Sequence, residues 1–294
     1  MSGFSILFMK EEDYPQLYRA ADNLSIRYQN IHYGLLFSYL LTLILGGIVS
    51  ICGNCVIMDS ISLGLFILSA ALYAISKICN PVDLWYNGRA VAESVKSMTW
   101  KWMMMADPYQ NMNNESQKFL SDLHYLLQQN KSLFEHYQHE EDCHFYTISE
   151  KMRAIRAANI SDKLSYYNEN RVSEQLTWYK KKSKKLHKHY VVCSWIVVFC
   201  YIIIILFMIA SVANQNIQFP TELISTIVTA LISWMEAKKY NELSCAYSLA
   251  VNDISIICEH KLKGEISEEE VSEYVTNSEN AFSREHTQWI ARKQ

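Results

Sequence analysis

The sequence predicts an all-α membrane protein, built as two two-span hairpins that continue into cytoplasmic helices. Three observations predict it. Half of the residues are hydrophobic, 50%, yet the mean hydropathy is −0.05, so the apolar residues must be gathered in blocks with polar sequence between them. The blocks are long enough to matter, because a hydrocarbon core about 30 Å thick takes roughly 20 residues at the helical rise. The chain also holds only four prolines and eight glycines, with neither between Pro108 and Pro220, which makes helix the economical reading through the middle.

The elements follow in order. The first 30 residues carry acids in an amphipathic pattern, with no apolar core of the kind a cleavable signal peptide needs. A first unit, residues 1–108, then contains spans at about 33–52 and 60–79. No Asp, Glu, Lys or Arg occurs from Tyr28 to Met58, and Ser60 to Ser76 is uncharged between Asp59 and Lys77. Asn80 before Pro81 reads as a helix cap with proline in the first turn. Residues 109–160 read as a cytoplasmic helical connector with a polar interruption around Glu140 to Cys143. Thr147 with Glu150 and Ser267 with Glu270 have capping-box spacing, and Gly264 can stop a helix.

The second unit, residues 161–294, repeats the plan with spans at about 190–213 and 220–236. The stretch Tyr190–Ala213 is uncharged throughout, whereas the last span has only Leu223–Met235 between Glu222 and Glu236. That is about 20 Å of helix against about 30 Å of hydrocarbon, so it crosses only if an end carries its acid into protein or water. Charge placement asks for the crossing. All 27 Lys and Arg residues lie outside the outer turns Gly53–Asp59 and Asn214–Glu222. The positive-inside bias then puts both termini and the connector in the cytoplasm of an inner membrane.

The stretch "KKKSKKLHKHYVVCSW" places Lys180, Lys181, Lys182, Lys184, Lys185 and Lys188 directly before the third span. A cluster on one flank of a span is expected to bind anionic lipid headgroups, with the bilayer as its partner and no specific nucleic acid. Most of the eight cysteines fall in spans or on the reducing side; the pair in "CGNC", Cys52 and Cys55, lies in an outer turn and reads as a tight turn ahead of a disulfide.

Signs of catalysis are thin. "HYQHEEDCHF" gathers His136, His139, Cys143 and His144, but in no spacing of a closed zinc site, and it reads as a solvated linker. In "SREHTQW", Glu285 and His286 are neighbours that point about 100° apart on a helix, so they do not orient one another toward Ser283. There is no phosphate loop, metalloprotease motif or nucleophile elbow. The expectation is a protein that is not an enzyme and takes no cofactor or metal.

The most informative pattern runs from Thr221 to Lys263, which lacks Gly and Pro and reads as one helix of about 65 Å. Steps of four and three give Glu222, Thr226, Thr229, Ser233 and Glu236, then Tyr240, Leu243, Tyr247, Ala250, Ile254 and Ile257. The stripe is polar at membrane depth and apolar beyond it, so both halves are expected to turn toward protein. The five polar residues are pore-lining candidates, echoed on the second span by Asp59, Ser62 and Ser69, with an oligomer as the setting; the bland alternative is that the hydroxyls bond backbone or neighbouring helices. On the first span, Ser38, Thr42, Gly46 and Ser50 read as a small-residue packing surface.

Several stretches also resemble a known family. "AAD" at Ala20–Asp22, "WYNGRAVAESVKSMTW" from Trp85, "RVSEQLTWYKKKS" from Arg171 and "ENAFSREHTQWIAR" from Glu279 resemble signatures of duplicated, four-span members of the SLATT family. The resemblance implies a membrane protein of bacterial conflict and antiviral loci, a pore-forming or membrane-perturbing effector whose partner is a nucleotide signal or a cytoplasmic protein. It brings no catalytic residues. Read by themselves, the same residues are scaffold: Arg89 and Glu93 form an i, i+4 pair, and Trp178 and Trp289 are core aromatics. Two rival functions stay open, a membrane-anchored sensor or scaffold that does not conduct and a small-solute transporter. A scaffold needs no polar stripe, and a transporter is expected to show spans broken by Gly or Pro.

Overall fold

A computed structural model of the protein describes residues 8–52, 55–110, 113–131, 133–134, 147–214, 220–259 and 267–291, with side chains as far as Phe282. Among these residues there are helices and no strands: α1 (Gln16–Cys52), α2 (Val56–Cys79), α3 (Pro81–Met103), α4 (Glu115–Gln129), α5 (Glu150–Ala157), α6 (Ile160–Tyr167), α7 (Ser173–Ala213), α8 (Thr221–Lys238), α9 (Tyr240–Glu259) and α10 (Glu268–Ala291). The fold is the expected all-α one. The chain separates into two compact units that cut across the sequence: a helical body from Met1–Arg27, Asp83–Lys182 and Ala246–Gln294, and an apolar unit from Tyr28–Val82 and Ser183–Cys245.

Among the described residues, α1, α2 and the stretch Ile160–Ala213 that contains α7 are long and apolar enough to cross a membrane. The helix α8 is not among them, and packing gives it its place. Ala230 joins Leu36 and Leu40 of α1 in a buried cluster flanked by Tyr33 and Trp234, while Leu223 reaches Gly47. So α8 runs antiparallel beside α1 from Gly47 back to Tyr33, about 20 Å at helical rise. The hydroxyls of Ser62 and Ser69 on α2 donate to the α1 carbonyls of Gly46 at 2.9 Å and Tyr39 at 3.0 Å. A Cβ added at Gly46 would stand 3.1 Å from the Phe66 ring, so glycine sets the α1–α2 separation there. Ser50, at the end of the expected packing surface, is exposed. Ser183 and Ser244 clasp α7 to α9 by reciprocal bonds, each hydroxyl donating to the other residue's carbonyl, at 3.0 and 3.1 Å.

Each hairpin's second helix ends on a residue in the left-handed region, Asn80 (φ 38°) after α2 and Lys239 (φ 49°) after α8. Asn80 thus terminates α2 and hands the chain to Pro81 in the first position of α3, where a missing N–H costs nothing. Lys239 corrects the expectation of one helix from Thr221 to Lys263. Its N–H donates to the Glu236 carbonyl at 3.1 Å, which closes α8, and α9 starts anew. No Gly or Pro announced the break. A left-handed non-glycine residue costs about 1–2 kcal/mol, so Lys239→Gly is expected to raise stability by about 1 kcal/mol and Lys239→Val to lower it by a similar amount. Chemical denaturation in detergent reads the difference, and equal stability of the two variants would refute it.

The body is interrupted more often than a Pro- and Gly-free sequence suggested. α4 stops at Gln129, Ser149 rather than Thr147 caps α5 by accepting from Met152 N–H at 3.2 Å, and Asn159 caps α6 by accepting from Asp162 N–H at 2.8 Å. Side-chain caps, competing with helix through their own oxygen atoms, end helices here without glycine. The Ser267–Glu270 box forms as spaced, Ser267 N–H donating to Glu270 at 2.9 Å and Glu270 N–H to Ser267 Oγ at 3.2 Å. A π turn, Asn168–Val172, joins α6 to α7. The core holds Trp100, Trp102, Tyr109 and Phe119, with Trp100 Nε1 donating to Tyr14 Oη at 3.0 Å. Ser272 of α10 accepts from Asp107 N–H at 3.0 Å. The His136–His144 cluster and Gly264 lie outside the described residues, as do the side chains of Ser283, Glu285, His286 and Trp289.

Candidate functional site

The residues singled out for a membrane path separate into two groups. On α2, Ser62 and Ser69 are buried and spend their hydroxyls on α1, which is helix packing, while Asp59 is exposed. On α8, the polar half of the stripe faces out of the chain. Glu222, Thr229 and Glu236 are exposed and Thr226 and Ser233 partly so, because α8 turns Val228 and Ala230 inward. Within the single chain the apolar half turns toward protein, with Tyr247 and Ile254 buried. Thr226 and Thr229 donate to the carbonyls of Glu222 and Ser225, at 2.9 and 3.0 Å, so their hydroxyls are satisfied along their own helix.

The exposed face has a residue that the four-three stepping missed. Ser225 is exposed too, and Glu222, Ser225, Thr229, Ile232 and Glu236 follow the spacing of a heptad seam, within about 80° of the helix circumference at 100° per residue. A heptad count from Glu222 would have found it. On α7, Lys180, Lys181, Lys182, Lys184, Lys185 and Lys188 are all exposed, while Tyr179 and Ser183 among them are buried. The lysines therefore decorate the outer faces of a helix that is anchored by the residues between them.

A second site lies wholly in the body, a cavity of about 220 Å³. Four helices build it. Tyr18 and Asp22 come from α1, Arg89, Glu93 and Lys96 from α3, Glu174, Gln175, Trp178 and Tyr179 from α7, and Phe282 from α10. α1 and α3 approach closely because Gly88 faces the α1 backbone: a Cβ there would stand 3.1 Å from both Ala21 O and Ser25 N. Arg89 pairs with Glu93 at 3.5 Å, as their spacing predicts. Lys96 sits above the rings of Tyr14 and Tyr18, 5.9 and 6.0 Å from their centroids. Burial pushes its ammonium down from the usual lysine range, the nearby Arg171 charge adding to this. Burial likewise raises Asp22, against the opposing pull of Arg89.

Behind the cavity stands a buried ion pair. Glu279, 0% exposed, accepts from Arg171 Nε at 3.0 Å and Nη2 at 2.8 Å, and from Tyr167 Oη at 2.9 Å. Arg171 lies over the Phe282 ring at 4.9 Å, and its Nη1 has no hydrogen-bond partner among the described residues. Sequence reasoning quoted these residues as scaffold and as separate stretches. That Arg171 meets Glu279 is a tertiary fact, since the two are 108 residues apart.

Two family models match the chain. One, described as SMODS and SLOG-associating 2TM effector domain 3, covers residues 15–163, and the other, described as SMODS and SLOG-associating 2TM effector domain 1, covers residues 167–289. No curated protein and no solved structure matches it.

Proposed function

Because the chain belongs to the SLATT family, with two of its two-span effector domains in tandem, we propose that this membrane protein is an oligomeric, pore-forming effector of a bacterial antiviral or conflict system. It sits in the inner membrane with both termini in the cytoplasm, is held shut, and opens on a cytoplasmic signal, a nucleotide or a partner protein. It acts by opening a path and performs no catalysis.

One observation carries the reading: the polar seam of α8 is exposed on the single chain. In hydrocarbon such a face is satisfied by another protein surface or by water. Copies of the chain that gather their α8 seams around an axis supply both, with Glu222 forming an acidic ring at one mouth that favours cations. The apolar surface of α7, none of it buried within the chain, then faces lipid, and its lysines meet the anionic headgroups. The same seam would be idle in a scaffold that recruits partners without conducting.

Single cysteines test it. Placed at Ser225, Thr229 or Ser233 in otherwise cysteine-free protein in liposomes, they are expected to react with a hydrophilic thiol reagent in the conducting state, and cysteines at Ile224, Ile227 and Leu231 to react at least about tenfold more slowly. Labelling without periodicity would place the path elsewhere. Topology has its own test: reporters fused after Ile160 and at the carboxy terminus are expected to report cytoplasm, since the outer turns lack Lys and Arg. A periplasmic signal from either would overturn the orientation.

A further inference from the structure

We propose that the cavity in the body is a binding site for a small amphoteric molecule, one carrying an anionic group at one end and an ammonium or N–H donor at the other. Occupancy of the site does not depend on the pore; that occupancy is the opening signal rests on the proposed function.

Size sets the first limit. About 220 Å³ is the liquid volume of about seven water molecules, below the roughly 300–1,000 Å³ of pockets that enclose drug-sized ligands. The enclosed part of the ligand is therefore of amino-acid size, and anything larger leaves its remainder outside.

The chemistry comes from groups that the fold leaves uncommitted. Among the described residues, Lys96 has no carboxylate within ion-pair distance and holds its ammonium against aromatic rings, although burial alone disfavours that charge. Lys96, which lines the cavity, marks the anion end. Opposite in sign, Asp22 and Glu174 line the same space, and among the described residues neither makes a hydrogen bond or ion pair; Glu93 is already held by Arg89. They mark the donor end. Trp178 and Tyr179 line the same space and add aromatic surface to it.

Balance then selects the ligand. A lone anion drawn to Lys96 would face the free carboxylates, and a lone cation drawn to Asp22 would meet Lys96. A molecule with both signs satisfies both ends without leaving a like charge opposed. Such a ligand would also be held from two sides, by Asp22 and Lys96 of the first matched domain and by Glu174 and Trp178 of the second. Its binding would thus tighten the contact between domains inside the body.

The test uses the full chain in detergent, isothermal titration and thermal unfolding. The probes are L-tyrosine, L-leucine and L-arginine as amphoteric carboxylates, AMP as an amphoteric phosphate, and inorganic phosphate and methylamine as single-sign controls. At least one amphoteric probe is expected to bind saturably with Kd below about 1 mM, and each control at least about tenfold more weakly. Whether an amino acid or AMP prevails identifies the anion as carboxylate or phosphate. Asp22→Asn and Lys96→Met are each expected to weaken binding about tenfold or more, and Glu174→Gln, at the exposed mouth, to do so even if the other two variants unfold. The proposal is overturned if no amphoteric probe binds, if a control binds as tightly, or if binding survives the substitutions that fold. Binding that leaves liposome flux unchanged would count against the trigger role and leave the site in place.

Discussion

Glu279→Ala is expected to lower the stability of the helical body by about 3–5 kcal/mol, because it leaves the Arg171 guanidinium buried without its counter-charge. Arg171 is 2% exposed and Glu279 0%, so neither can turn to water without opening the packing of α7 against α10. The loss includes more than the pair, since Tyr167 Oη would also lose its acceptor, and a buried hydroxyl left unbonded costs about 1–3 kcal/mol. Arg171→Met is expected to be as damaging, for it strands the carboxylate instead. The double variant Arg171→Met with Glu279→Leu separates charge from packing: it is expected to recover much of what either single change loses, as replacing a whole buried pair by apolar residues often does. Denaturant unfolding of the three proteins in detergent reads the cycle. Losses below about 1 kcal/mol for both single variants would show the pair to be incidental.

Thr229→Leu is expected to abolish flux through liposomes while leaving the protein folded. Its position explains both halves of that expectation. Thr229 is exposed on the single chain and its hydroxyl bonds only to the carbonyl of Ser225 on the same helix, so a leucine there removes no contact with α1 that holds the hairpins together. In a ring of α8 seams, however, it would set an apolar collar midway along the path, and apolar constrictions close pores by drying them. Glu222→Gln tests the mouth: conduction is expected to persist with its preference for cations over anions reduced. Side-by-side measurements of a small cation and a small anion decide the matter. Flux that ignores both substitutions would make the seam a packing surface between copies and leave the scaffold reading in possession.

The apolar blocks were readable because the hydrophobic requirement of a span is written in one contiguous stretch. Tyr33–Cys52, Ser60–Cys79 and Tyr190–Ala213 all lie inside α1, α2 and α7 as found. Short-range chemistry was partly readable. The Ser267–Glu270 box and the Arg89–Glu93 pair need only neighbours three and four residues apart. The break at Lys239 was not, since a lysine in the left-handed region has no local signature and is held there by what surrounds it. Nor could Ser62 and Ser69 be assigned from α2 alone, as the carbonyls they bond belong to α1. The cavity lies furthest from the sequence: its walls come from four helices, and nothing in any single stretch says that Lys96 lies over the rings of Tyr14 and Tyr18 rather than in water.

The buried pair also imposes an order on synthesis. The body is collected from three separated stretches of chain, and the two charges of the pair lie in different ones. At roughly 5–20 residues per second, the 108 residues from Arg171 to Glu279 take about 5–22 seconds to emerge. Over that interval the guanidinium has no counter-charge, and by its end the second hairpin, α7 and α8, has been made as well. A nascent chain can therefore reach its membrane before its body is finished, and a product that stops short of Glu279 would be made, delivered and still incomplete.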